Sequence, residues 1–351
     1  MSNQMSIFDF MYDRFVPHKD IRLIELFAGI GAQFKALKEI TKGTDYKVES
    51  YKICEWAVPS IKAYNSIHIK DTNDYSADKT YQEMLEKVKM VSLNYSDPIS
   101  EKSIKSKGEK WVRETYNNIV ATHNLVNVME VKGSDLEIVD TDKYTYIMTY
   151  SFPCQDLSKA GTRKGLEISQ KEGGTRSGLL WEVERIISEL DYEHRPQVLL
   201  MENVPDLIES NFIKSWHKWL ERLEELGYKS NYIEILNGKD YLIPQNRKRV
   251  FCVSIKGEYA FSFPSKMQLK YKLGDLLEKD VDDKYFLTQE HIDRIKSWNS
   301  QEKPLENVLG GASISPTITT HAGKDSGGMK LVGIPNDKVV GGGVAKSEKR
   351  N

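Results

Sequence analysis

Apolar residues gather in short continuous runs, separated by stretches of helical or polar spacing. Residues 21–27 (IRLIELF) are dense enough for a strand buried on both faces, and AGIGAQ and the helix-spaced FKALKEI follow. Residues 51–54 (YKIC), 144–150 (YTYIMTY) and 197–201 (QVLLM) repeat the strand signature, and SNYIEIL and RVFCVSI add two candidates. Residues 178–190 (GLLWEVERIISEL) and 212–226 place apolar residues at helical intervals, the second ending at Gly227, a C-cap residue. Strands alternating with helices predict an α/β domain whose mainly parallel sheet is covered on both faces. Residues 71–124 interrupt the alternation with a Lys-, Glu-, Ser- and Tyr-rich segment that reads as an inserted, mostly helical excursion. The character changes again after Gly257. Residues 261–298 read as a connector with one helix candidate at 289–298, and a Gly-, Ser- and Thr-rich tail begins at Gly310.

Composition adds exclusions rather than a direction. The 351 residues are 39% hydrophobic and 29% charged, an ordinary soluble balance. No apolar run reaches the roughly 18 residues of a membrane span, and the first residues lack the basic and apolar regions of a signal peptide. Fifty basic against fifty-one acidic residues leave a net charge of −1, which neither supports nor excludes nucleic-acid binding. Cys54, Cys154 and Cys252 lie far apart, with no companion histidines at metal-site spacing. A disulfide scaffold and a metal site are therefore not expected, and a reducing cytoplasm is the default location.

Candidate chemistry sits at strand ends, where open α/β sheets bind ligands. Gly29 and Gly31 after the first strand admit a tight turn or a close ligand, and either reading accounts for them. Glu55 and Trp56 close the second strand, where an acidic residue can bind ribose hydroxyls. Cys154 follows Pro153 directly after the third, which suits a buried filler or a presented nucleophile. Glu202 in MENVP ends another apolar run, a position for a proton donor. Arg247 and Arg249, two apart, share a face in an extended chain and could hold a substrate or form a solvated edge.

ELFAGIGAQFKAL, EW, SFPCQDLSKAG, TRSGLLWEVERI, MENV and PQNRKRVF occur in that order. Together they resemble the C5-cytosine DNA methyltransferases, most closely the bacterial CpG-methyltransferase-like subgroup. The resemblance runs from about residue 22 to 255 and more loosely to about 332. It implies a Rossmann-like fold that uses S-adenosylmethionine, with a small, incomplete target-recognition domain. The implied division is an N-terminal extension at 1–20 and a catalytic, cofactor-binding domain at 21–256 carrying the insertion at about 71–125. A partial recognition region follows at 257–332, then a Gly- and Lys-rich tail at 333–351.

The resemblance also assigns roles. The Cys154 thiolate adds to C6 of a flipped cytosine, Glu202 protonates or hydrogen-bonds N3, and Arg249 with Arg247 orients the base. Phe27, Gly29, Gly31, Glu55, Trp56 and Pro153 surround the cofactor, with Glu130 standing where the family usually has an aspartate. Gln155, Ser158, Arg163, Lys164 and Gln245 are candidate DNA contacts. The segment 155–175 is a candidate lid, with Lys159, Arg163, Lys164 and Lys171 set against Asp156, Glu167 and Glu172. The implied partners are double-stranded DNA, a cognate restriction endonuclease and a C-terminal complementing subunit, in a prokaryotic or phage-infected cell. No membrane is expected.

SISPTITTHAGKDSGGMKLV resembles the end of a recognition domain, yet the family's two terminal motifs do not follow Val332. Three readings compete: the large subunit of a split enzyme, a truncated remnant that binds without turnover, and a complete enzyme with an unusual closing helix. A tRNA cytosine-5 methyltransferase is a further alternative, although the CFT element of that branch is absent.

Overall fold

In the computed structural model, which describes residues 12–95, 97–153, 176–209 and 212–278 with short stretches between 282 and 342, the first apolar run forms β1 (Asp20–Leu26). Its last four residues are all buried, as expected for a strand covered on both faces. β2 (Lys47–Cys54), β3 (Tyr144–Tyr150), β4 (Val198–Asn203), β5 (Ser230–Asn237) and β7 (Lys248–Ile255) complete a six-stranded sheet in the order β2-β1-β3-β4-β7-β5. β2, β1, β3 and β4 are mutually parallel, and β7 runs antiparallel to β4. β2 begins four residues earlier than its apolar run, because Lys47–Ser50 alternates exposed and half-buried positions on an edge strand.

The chain divides into two compact units, Met1–Glu234 with Val250–Phe263 and Ile235–Arg249 with Pro264–Asn351. In the first, helices α1 (Ala32–Thr41) and α2 (Val58–Tyr64) follow β1 and β2, and α2 continues into a π-helical turn at Asn65–Ile69. The insertion carries α3 (Tyr81–Val88), opened by a Thr80–Glu83 capping box, and α4 (Glu101–Ala121), broken at Gly108. These two helices bury Met84, Val88, Ile104, Val112, Tyr116 and Ile119 in a cluster of their own, against Ile61 of α2. The main core gathers β1, β3 and β4 with α5 (Leu180–Ser188) and α6 (Ile213–Glu225). Trp219 of α6 meets Tyr150 and Trp181 edge-on at 6.0 and 6.1 Å.

At the starting ends of the parallel strands, Arg22 donates to the Tyr146 hydroxyl at 2.8 Å and to Glu49 at 3.2 Å. Its guanidinium also lies over the Tyr144 ring at 3.6 Å and the Tyr51 ring at 4.5 Å. One arginine thus ties β1, β2 and β3 together at the edge away from the strand ends that carry the candidate chemistry.

In the second unit, β6 (Gln245–Asn246) pairs in parallel with β9 (Ser315–Pro316). β8 (Val308–Leu309), β10 (Lys330–Ile334) and β11 (Lys338–Gly342) form a three-stranded sheet. Residues 235–249 cluster with this unit. The Met267 N–H donates to Asp240 O, the Ser315 N–H to Pro244 O, and the Thr317 hydroxyl to Asn246 O.

Candidate active site

The parallel strands end in register, Leu26 beside Cys54 and Tyr150, and Tyr150 beside Met201. Phe27, Glu55 and the segment 151–153 therefore leave the sheet along one edge, where Glu202, one residue past Met201 and still paired with Phe251 of β7, also stands. Beyond β1 the chain turns sharply. Phe27 takes a left-handed φ of 59°, and the N–H groups of Phe27 and Ala28 donate to Cys54 O at 2.8 and 3.3 Å. Gly29 follows at φ 55°, with no heavy atom within 4 Å of where a Cβ would stand. Gly31, at φ 79°, has no such room, since a Cβ there would lie 2.6 Å from both His68 Nε2 and the Tyr64 ring.

Gly31 is the N-cap of α1 and offers no side chain to the helix. Glu25, six residues earlier on β1, supplies the missing acceptor: Phe34 N–H donates to its Oε1 at 3.1 Å, and the Tyr64 hydroxyl to its Oε2 at 2.6 Å. Glu25 is only 1% exposed, and burial pushes its carboxyl up to about 7 despite these two hydrogen bonds. His68 in the π-turn hydrogen-bonds Ile30 O at 2.8 Å, so α2 supports the turn from a second side.

Glu55 is 8% exposed, and its carboxylate spans two backbone donors, Gly29 N–H at 2.8 Å and Ala57 N–H at 2.7 Å. Burial raises its pKa, while hydrogen bonds from the Ala57, Gly29 and Trp56 backbone act the other way. The open space beside Gly29 and this preset carboxylate fit a cofactor that presents hydroxyl groups. Trp56 is half-buried against the insertion's core. Glu130 is exposed in a turn closed by its N–H to Asn127 O at 2.9 Å. Arg185 of α5 holds that turn in place by donating to Val131 O at 2.9 Å and Val128 O at 3.3 Å.

At the β4 end, Glu202 is half-buried and Asn203 buried. Asn203 Nδ2 donates to Phe152 O at 3.1 Å, which ties the end of β4 to the residue preceding Pro153. Cys154, Gln155, Ser158, Arg163 and Lys164 lie outside the described residues, as do the rest of 155–175 and all but residue 290 of the 289–298 helix candidate. The other two cysteines are poor nucleophiles. Cys54 and Cys252 are buried, and burial pushes both thiols up, Cys252 to about 11.

In the second unit, Gln245, Arg247 and Arg249 are half-buried while Asn246 and Lys248 are exposed, the period-2 pattern of one shared face. Asn237 closes the loop before them. Its Oδ1 accepts from Arg247 N–H at 3.0 Å and its Nδ2 donates to Asn246 Oδ1 at 2.8 Å, while Gly238 N–H donates to Arg247 O at 3.1 Å.

Glu25, Asn124, Arg185, Asn203 and Asn237 were not candidates from sequence. Glu25 alone left a signal, a charge inside an otherwise apolar strand. Each of the other four reaches a site element 9 or more residues away along the chain, so no local pattern announces them.

The family model for "C-5 cytosine-specific DNA methylase" matches residues 85–324. The orphan methyltransferase M.SssI of Spiroplasma monobiae is 35% identical over 280 residues, covering 77% of this chain and 68% of that protein. The type II methyltransferase M2.ScrFI of Lactococcus lactis subsp. cremoris is 34% identical over 278 residues, 78% of this chain and 71% of that one. Among solved structures, a Spodoptera frugiperda DNMT2 mutant superposes with a TM-score of 0.57 at 16% identity, covering 90% of this chain and 76% of its own. At that identity the likeness concerns the fold.

Proposed function

Because the chain belongs to the C-5 cytosine-specific DNA methylase family, we propose that it methylates C5 of cytosine in double-stranded DNA with S-adenosylmethionine as donor. The observation that supports this most is the meeting of four motif groups on one sheet edge: the glycine turn, Glu55-Trp56, the Pro153 segment and Glu202. S-Adenosylmethionine, when bound, supplies an electrophilic methyl group. Gly29 would let its methionine portion approach the backbone while Gly31 keeps the turn close against Tyr64 and His68, Glu55 would accept from its ribose hydroxyls, and Phe27 and Trp56 would contact its adenine. Glu130 would stand near the adenine amino group, and Pro153 would line the pocket.

C5 of cytosine is a weak nucleophile, so the ring needs activation. In this reading the Cys154 thiolate bonds to C6 while Glu202 donates a proton or hydrogen bond to N3, which enriches C5 in electrons. Arg249 and Arg247 hold the base and offset its charge. After methyl transfer a base removes the C5 proton, and the bond to Cys154 breaks. The target must first leave the duplex. In the same reading Gln155, Ser158, Arg163, Lys164 and Gln245 would contact DNA, with 155–175 as a lid and 257–332 as the recognition region.

Several relatives are named type II methyltransferases, and we propose the modification arm of a restriction-modification system as the setting, alongside a cognate endonuclease. Transfer of labelled methyl groups to duplex DNA and to tRNA tests the reading. Wild type should label DNA, and Cys154→Ala should lose activity by about a thousandfold or more. A Cys154→Ala protein of full activity refutes the nucleophile, and labelling of tRNA alone favours an RNA enzyme. Activity that emerges only on adding a second polypeptide identifies the larger subunit of a split enzyme.

A further inference from the structure

One buried amide returning from the insertion grips the backbone of Glu55. Asn124 is 4% exposed. Its Oδ1 accepts from Glu55 N–H at 3.0 Å and from Val126 N–H at 2.9 Å, and its Nδ2 donates to Glu55 O at 2.8 Å. The two bonds to Glu55 form the donor-and-acceptor pair that a neighbouring strand would offer. They extend the ladder begun where Leu125 N–H donates to Ile53 O at 2.8 Å and Ile53 N–H to His123 O at 3.4 Å. Glu55 needs such a partner because β2 is an edge strand and Phe27 has already turned away from the sheet. Ser92, also in the insertion, donates to Trp56 O at 2.7 Å and accepts from Val58 N–H at 3.0 Å.

The main chain of both candidate cofactor residues is thus fixed by the insertion. Asn124 itself is delivered by the last turn of α4, where its N–H donates to Ile119 O at 3.0 Å. With the Glu55 backbone clamped and backbone N–H groups holding its carboxylate from Gly29 on one oxygen and Ala57 on the other, the carboxylate is fixed in one orientation. A vicinal diol requires such an arrangement.

We propose that Asn124 is a positioning residue that sets affinity for the cofactor ribose through Glu55, making the insertion a working part of the cofactor site. The proposal rests on the methyltransferase reading. Calorimetric binding of S-adenosylhomocysteine to the full chain tests it, beside duplex-DNA binding and single-turnover rates. Asn124→Ala should weaken the cofactor by about tenfold, leave DNA affinity unchanged, and recover near wild-type rate at saturating cofactor. In a Glu55→Ala background the same substitution should weaken the cofactor no further, since its effect passes through Glu55. A merely structural role would lower the melting temperature in both backgrounds and leave cofactor affinity alone.

Should Asn124→Ala not fold, the isosteric Asn124→Asp keeps both accepted bonds, loses the donation to Glu55 O and sets a carboxylate oxygen against that carbonyl. It should still raise the cofactor Kd several-fold. A folded variant that binds S-adenosylhomocysteine as tightly as wild type overturns the proposal. A wild type that binds no cofactor overturns the methyltransferase reading and this proposal with it.

Discussion

Glu25 shows how a single residue can be structural and costly together. Its carboxyl ordinarily titrates at 4.5 and here at about 7 because burial disfavours the charge. Between those values the native chain holds more protons than the unfolded one, so stability falls as pH rises through that window and stays lower above it. The full cost is roughly 3 kcal/mol. Glu25→Gln keeps an acceptor for Phe34 N–H and removes the titration. In urea unfolding, wild type should therefore lose roughly 2 kcal/mol relative to the variant between pH 5 and pH 8. Equal pH slopes for the two proteins would contradict this account. The residue was legible as a charge in the run LIELF, but its partners were not. Tyr64 and Phe34 meet it only after α1 and α2 fold back on the sheet.

At the scale of elements, the glycine turn and α1 depend on a neighbour they do not resemble in sequence. Tyr64 and His68 fill the space that a side chain at 31 would need. Gly31→Ala should cost roughly 2–4 kcal/mol in denaturant unfolding, from the strained φ together with the clash. Gly29→Ala meets no atom, so it should cost less stability and instead weaken cofactor binding. β1, β3, β4 and both core helices were readable because burial on both faces writes continuous apolar runs or a clean 3.6 period. The first half of β2 was not, since an edge strand with one wet face carries no such run. The reversal of β7 was invisible for a different reason: strand direction is set by the connections, and the composition of RVFCVSI is the same either way. Helix α4 was foreseeable as helical, yet the break at Gly108 required the backbone to show it.

For the whole molecule, ligand and fold are linked. A cofactor held by Glu55 and the glycine turn should stabilise the native state by about 3 kcal/mol when present at about 100 times its Kd. That gain, read as the rise in each protein's own melting temperature on adding S-adenosylhomocysteine, should vanish in Glu55→Ala, whose unliganded melting temperature is also lower because Gly29 and Ala57 N–H lose their acceptor. The order of motifs along the chain already pointed to the function. Which groups hold those motifs still was hidden, because Asn124, Arg185 and Asn203 act across 50 or more residues.

The Arg22 cluster lies at the end of the sheet remote from all of this. Arg22→Ala would strip one partner from β2 and β3 and leave Glu55, Glu202 and the glycine turn in place. Its expected mark in a cell is fewer molecules rather than slower ones, because a modest loss of stability lowers steady-state abundance through quality control. Genomic DNA in such a strain would be under-methylated in proportion to protein level, while each purified molecule turns over normally. Two variants with equal shortfalls in methylation could therefore be told apart by an immunoblot: one edge of the sheet governs how much enzyme exists, the other how well it works.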